Sequence, residues 1–255
     1  MLKRFFNFHL DDVDPECFVT SSLCSPYALF YYRCGVFITS LTVMIISLSS
    51  LLLQQAPFFA WISAFTDLSW IGLVVYFGFS TVVTGLYIWR NGKTPSSKTF
   101  IFIHWSLYLL PAVYHWIVPV VFWAFLAPYV LKSSLASGPL TTFVTIVPHS
   151  FDWVFMFIEF LLNRIPIFYS QWYIPILFGV LFVVYVFYQH AVFSQYTSSP
   201  DGFWVYPFLD TSKPYAYAWY LGIAVYFAII FLIVASLHKL RDRLRKGAVK
   251  SLREE

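Results

Sequence analysis

Apolar residues run through the chain in blocks too long for a soluble helix and are interrupted at nearly regular intervals by short polar punctuation. The breaks read "QQAP", "RNGKTPSSK", "LKSSLASGP", "NRIP" and "SQYTSSPDG". They carry the Pro, Gly, Ser and charge that end apolar runs. Between them lie six predicted helices, at 27–53, 58–89, 100–130, 141–162, 172–194 and 215–237. Each approaches or exceeds the roughly 20 residues that cross a hydrocarbon layer of about 30 Å. The expected fold is an all-α, integral membrane bundle of six transmembrane helices. A cytosolic segment (1–26) precedes it, and a basic cytosolic tail (238–255) follows. Pro111 and Pro119 predict a kink in the third helix, its freed carbonyls met by neighbouring helices.

Composition agrees with this pattern. Of 255 residues, 60% are hydrophobic, 22% aromatic and only 11% charged. A net charge of +4 would suggest nucleic acid in a soluble protein; here the basic residues report topology. With six spans both termini share one side. That side collects thirteen Lys and Arg, from Lys3 and Arg4 to the tail, against Lys132 and Lys213 opposite. The bias predicts cytosolic termini. Arg33 falls inside the first span and is expected to snorkel to the cytosolic surface. The tail's Leu237, Leu240 and Leu244 share one helical face among basic residues, which predicts a helix lying on the anionic leaflet. Cys17, Cys24 and Cys34, an odd number crowded near the first span, do not form a disulfide framework.

Orientation converts position into depth. The second and fourth helices both run inward from the non-cytosolic face. Thr66 and His149 each lie eight residues along, or roughly 12 Å deep at the α-helical rise. His190 is near the outer end of the fifth helix. In "TIVPHSFDWVFMFIEF", His149 and Asp152 are spaced i, i+3 and share a helix face, whereas Glu159 is rotated away toward the cytosolic boundary. Glu159 is read as interfacial or as a partner for a neighbouring helix. His115 falls mid-membrane, and His104 and His238 lie near the cytosolic side. Intramembrane ionisable groups are costly and point to function, although a histidine can simply bond a neighbouring helix and a threonine its own backbone. No nucleophile elbow, zinc-protease helix, Cys-x-x-Cys or phosphate loop is present. Nucleotide and metal chemistry are therefore not expected, nor any cofactor.

The run "DGFWVYPFLD" (201–210) resembles the Gly-x-Trp-Val-Tyr-Pro-Phe-Leu-acid signature of the androgen-induced gene 1 family. "HSFDWVFMFIEF" is similar to that family's histidine segment, with Glu159 ten residues after His149. "AFTDLSWIGLVVYF" resembles its threonine helix. The resemblance covers about residues 58–236. It implies a multi-pass hydrolase that cleaves fatty acid esters of hydroxy fatty acids, with Thr66 as nucleophile and His149 as base, in the endoplasmic reticulum or the plasma membrane. Departures include Thr145–Ile146 for an Asn-His pair and Gln189–His190 for a His-His pair, which imply a shifted substrate preference.

On this reading His149 takes the Thr66 proton, and Asp152, Asp67 and His190 are candidates to fix its tautomer. Trp204 and Tyr206 are candidate oxyanion donors. Lys213 or Lys132 would pair with the substrate carboxylate. Pro148 is expected to open the helix beside His149. The partners expected are a membrane lipid and the bilayer, not nucleic acid or a nucleotide. Two other classes compete. One is a haem-binding electron carrier using His149 with His190 and His104 with His238. The other is a non-catalytic transporter or scaffold.

Overall fold

A computed structural model of the chain describes residues 9–55, 58–196 and 201–254, with side chains to residue 245. Lys3 and Arg4, and the side chains of the tail beyond Arg245, lie outside the described set. The helices are α1 (Pro26–Leu53), α2 (Phe58–Trp61), α3 (Phe65–Trp89), α4 (Lys98–Val121), α5 (Ala127–Ser137), α6 (Pro139–Ile146), α7 (Phe151–Leu162), α8 (Tyr173–Phe193) and α9 (Ala216–Glu254). Six stretches are long and apolar enough to cross a membrane: Pro26–Leu53, Phe65–Trp89, Lys98–Ser137, Pro139–Leu162, Tyr169–Tyr196 and Ala216–Arg245. No strand occurs among the described residues. The protein is an all-α six-span membrane bundle.

Local signals start the helices cleanly. Ser25 caps α1 by accepting the Ala28 amide, with Pro26 at the first helical position. Ser97 caps α4 through the Phe100 amide. Both are N-cap interactions that satisfy donors the helix cannot. Around α1, α3 and α4 the interior is aromatic, with Trp105, Tyr76, Tyr108, Phe18 and Phe77 fully buried. Leu53, Val82, Val184 and Leu221 face outward, as lipid-exposed positions do.

The structure corrects one expectation about a polar residue. Arg33 does not snorkel; it is 0% exposed and grips Glu159, also 0% exposed, with Nη2–Oε1 at 2.6 Å. Its Nη1 donates to Phe18 O and Thr84 Oγ1 at 2.8 and 2.7 Å, while Tyr76 donates to Glu159 at 2.7 Å. Glu159 is thus the helix partner that its position suggested. The tail begins as a continuation of α9, which runs past residue 238 as one helix. Arg241 donates to Phe160 O, Asn163 Oδ1 and Ile165 O, and Arg245 to Asn163 O and Leu161 O. These acceptors lie in the last turn of α7 and just beyond its end, where carbonyls lack intrahelical partners and cations are favoured.

Two spans are discontinuous, and the opening expected at Pro148 is one of the two breaks. The second and fourth spans are each broken: the second by a turn at residues 62–64 before α3, the fourth by a 3₁₀ turn, Val147–His149, between α6 and α7. Pro148 explains the second break, since it has no N–H to donate. At the first, Ser63 Oγ bonds Phe59 O, and Ala64 takes an extended conformation as N-cap. A π-helical segment, Phe122–Leu126, joins α4 to α5. The N-terminal segment, the 164–168 loop and the α9 end line one common cavity through Asp14, Arg164 and Asp242. The segment at residues 12–22 and the α9 stretch at 242–245 therefore lie on the same face of the bundle.

Candidate active site at the helix breaks

Thr66 is the second residue of α3 and is buried. Thr42, Thr81, Thr84 and Thr145 all donate to the carbonyl four residues back, the usual fate of a helical threonine. Thr66 forms no such bond among the described residues, because the chain before it has already left helical geometry. Instead its first helical turn is met by the 201–210 loop. The Phe65 amide donates to the Tyr206 hydroxyl oxygen at 2.9 Å, which brings that phenol beside Thr66. Burial pushes the phenol's pKa up, against the opposing pull of the Phe65 amide. Tyr206 therefore keeps its proton and serves as a donor.

His149 ends the 3₁₀ turn that packs against α3. Its Nδ1 lies 2.6 Å from Thr145 O. A carbonyl only accepts, so Nδ1 carries the proton and Nε2 keeps its lone pair. The group that fixes this tautomer is a backbone carbonyl one turn back, not Asp152, Asp67 or His190. The imidazole stacks on Phe122 at 3.7 Å, and Trp123 of the same π-helical segment donates to His149 O at 3.0 Å.

A cavity of about 230 Å³ adjoins these elements. Its walls are apolar side chains of α4, α8 and α9, including Ile117, Ile176, Gly179 and Phe227. Thr66 and Tyr206 line it, and so does Phe122. His149 is not among the lining side chains; it contacts the cavity wall through Phe122. Val180 lines the cavity and is 54% exposed, so the space reaches the outer surface along α8. Irregular backbone at membrane depth is tolerated where it lines a cavity, and π segments recur at functional sites. Here the turn before Thr66, the turn at His149 and the π segment all meet at one place.

The other candidates fall elsewhere. Asp152 is fully buried, but its partner is His115, Nδ1–Oδ2 2.8 Å. His190 stacks on Trp204 at 4.1 Å and bonds Phe203 O, while the Trp204 indole donates to Asp201 O. Both hold the loop together, which removes Trp204 as an oxyanion donor. Lys213 is engaged by Asp201 at 2.9 Å and Asp210 at 3.7 Å, not open to a substrate carboxylate. Lys132 is exposed on α5. Asp67 follows Thr66 in the first turn of α3, half-buried. Of the histidines paired for haem, His238 has both ring nitrogens bonded, to Tyr108 and to Val234 O, and His104 Nε2 meets Ser80.

No protein-family profile matches the chain, and no curated protein or solved structure is significantly similar to it.

Proposed function

We propose that the protein is an intramembrane hydrolase of lipid esters, with Thr66 as nucleophile, His149 as base and Tyr206 as a hydroxyl donor to the oxyanion. The observation that carries this reading is the hydroxyl of Thr66, which is not tied to the carbonyl one turn back and sits at a helix break on the wall of an apolar cavity, beside the Tyr206 phenol. The resemblance to the androgen-induced gene 1 family supports the ester class and suggests fatty acid esters of hydroxy fatty acids as substrates. Within this reading the endoplasmic reticulum is the membrane we assign; imaging of a tagged chain distinguishes it from the plasma membrane.

The chemistry follows from the parts. The acyl chain occupies the cavity, which is too apolar to hold a charged group without partners. Its carbonyl lies at the cavity edge near Thr66. As the Thr66 Oγ–carbon bond forms, its proton passes to His149 Nε2 and the carbonyl π pair moves to oxygen, where Tyr206 donates. The ester C–O bond then breaks, and the leaving alkoxide takes the proton back from His149. A water repeats both steps on the acyl-threonine and frees the acid.

One observation favours a non-catalytic lipid carrier instead: His149 stacks on Phe122 rather than lining the cavity. Trapping decides between the two. Purified protein mixed with a long-chain p-nitrophenyl ester and quenched in acid should yield a Thr66 peptide heavier by one acyl group, absent in Thr66→Ala. Turnover that persists undiminished in folded Thr66→Ala excludes the covalent route.

A further inference from the structure

Helix α7 carries two fully buried acids, and they are treated differently. Both oxygens of Glu159 are occupied, by Arg33, Tyr76 and Asn163. That is how a structural carboxylate inside a membrane protein has to be satisfied. Asp152 has one partner only among the described residues, His115 at 2.8 Å, with side chains 0% and 1% exposed. Its Oδ1 and the His115 Nε2 meet no partner among the described residues. A buried polar atom left open on both members of a pair calls for a functional explanation. Asp152 is also three residues from His149, at the head of the helix that follows the His149 turn. Only Ser150 separates the His149 turn from the first helical turn of α7, to which Asp152 belongs.

We propose that Asp152 and His115 are positioning residues that balance charge at His149: His115 holds the Asp152 carboxylate in place, and the carboxylate stabilises the imidazolium formed when Thr66 attacks. This rests on the hydrolase reading above. No proton moves onto Asp152; the Thr66 proton goes to His149 and returns to the leaving group, while the negative charge stays on the carboxylate throughout. The other ionisable groups nearby do not substitute for it. Glu159 is neutralised by Arg33, and α6 carries no titratable side chain. Tyr114 donates to Pro175 O, and Asp67 belongs to the Thr66 side of the site.

The test uses the full-length protein and kinetics on a long-chain ester, with Thr66→Ala as the control for the site itself. Asp152→Asn keeps an acceptor for His115 and removes only the charge, so a merely structural pair would tolerate it. The expected result is a kcat lower by about 100-fold or more with KM within about twofold, partly restored in Asp152→Glu. His115→Gln should lower kcat by about tenfold, and decides the matter if the Asp152 variant does not fold. A kcat within about threefold of wild type in a folded Asp152→Asn, or in His115→Gln should that be the only folded variant, overturns the proposal. Wild-type activity unchanged by Thr66→Ala overturns the hydrolase site, and this inference with it. An inactive Thr66→Ala beside a fully active Asp152→Asn overturns this inference alone.

Discussion

Replacing Glu159 with alanine should be among the most destabilising single changes in this bundle, and the structure sets its size. Arg33 loses the Nη2 contact at 2.6 Å and both Nε contacts at 3.2 and 3.4 Å, keeping only Phe18 O and Thr84. The Tyr76 hydroxyl loses its acceptor as well. Neither Arg33 nor Glu159 has any solvent contact, so the guanidinium cannot turn to water. Breaking one member of such a pair costs about 3–5 kcal/mol. Helices that stay inserted when unfolded find alternative partners, which pulls the figure toward the low end. Removing both charges at once, as in Arg33→Met with Glu159→Ala, should recover most of the loss, because the penalty is the stranded charge rather than the missing attraction. Reversible unfolding in mixed detergent micelles, followed by helical circular dichroism, supplies all four corners of the cycle. A Glu159→Ala cost below about 1 kcal/mol, or a double variant as unstable as the sum of the singles, refutes the reasoning.

Three further outcomes follow from other parts of the molecule. Arg241→Ala strips donors from Phe160 O, Asn163 and Ile165 O, and should cost about 3 kcal/mol in the same unfolding assay. Gly179 lines the cavity, and a side chain there would meet the Phe227 ring at 3.1 Å; Gly179→Leu should raise KM for long-chain esters about tenfold and leave short-chain esters nearly unaffected. The loop at 201–213 should show a pH window. Burial would raise the Asp210 carboxyl, but its Ser212 hydrogen bonds and the Lys213 charge outweigh this and hold it below the usual range. That contribution is complete above the unfolded value near about 3.9 and is lost as pH falls through the lower folded value. The Asp201 bond raises the Lys213 ammonium instead, so its contribution is present below about 10.4 and lost at higher pH. Hydrogen exchange of this loop should therefore stay slow at neutral pH and accelerate at both extremes; a flat response contradicts the assignment.

The six spans were legible because hydrophobicity, length and punctuation are properties of neighbouring residues. Most helix ends shifted by a few positions; at the third span Ala127–Ser137 carries the helix past the expected end at 130, and the last helix runs furthest beyond its expected end, from 237 to Glu254. What the chain order hid was long-range pairing. Arg33 and Glu159 are 126 positions apart, and nothing local says that an arginine near a helix end turns inward instead of outward. His115 and Asp152 were each visible as intramembrane ionisable residues, but the i, i+3 spacing drew Asp152 toward His149 and not toward a helix 37 positions earlier. The break at 147–150 had a signal in Pro148. The break before Thr66 had none, because Ile62, Ser63 and Ala64 suit a helix and it is the incoming Tyr206 that holds the turn. Thr145 O as the tautomer-fixing group belongs to the same class: backbone atoms become ligands only once the backbone bends.

Hydrolysis of a fatty acid ester of a hydroxy fatty acid by the purified protein, beside Thr66→Ala and His149→Ala, tests the central claim most directly. The expected result is release of both acids by the wild type and a loss of at least about 100-fold in each folded variant. A wild type that cleaves neither this nor simpler lipid esters, or variants that cleave at the wild-type rate, would contradict it.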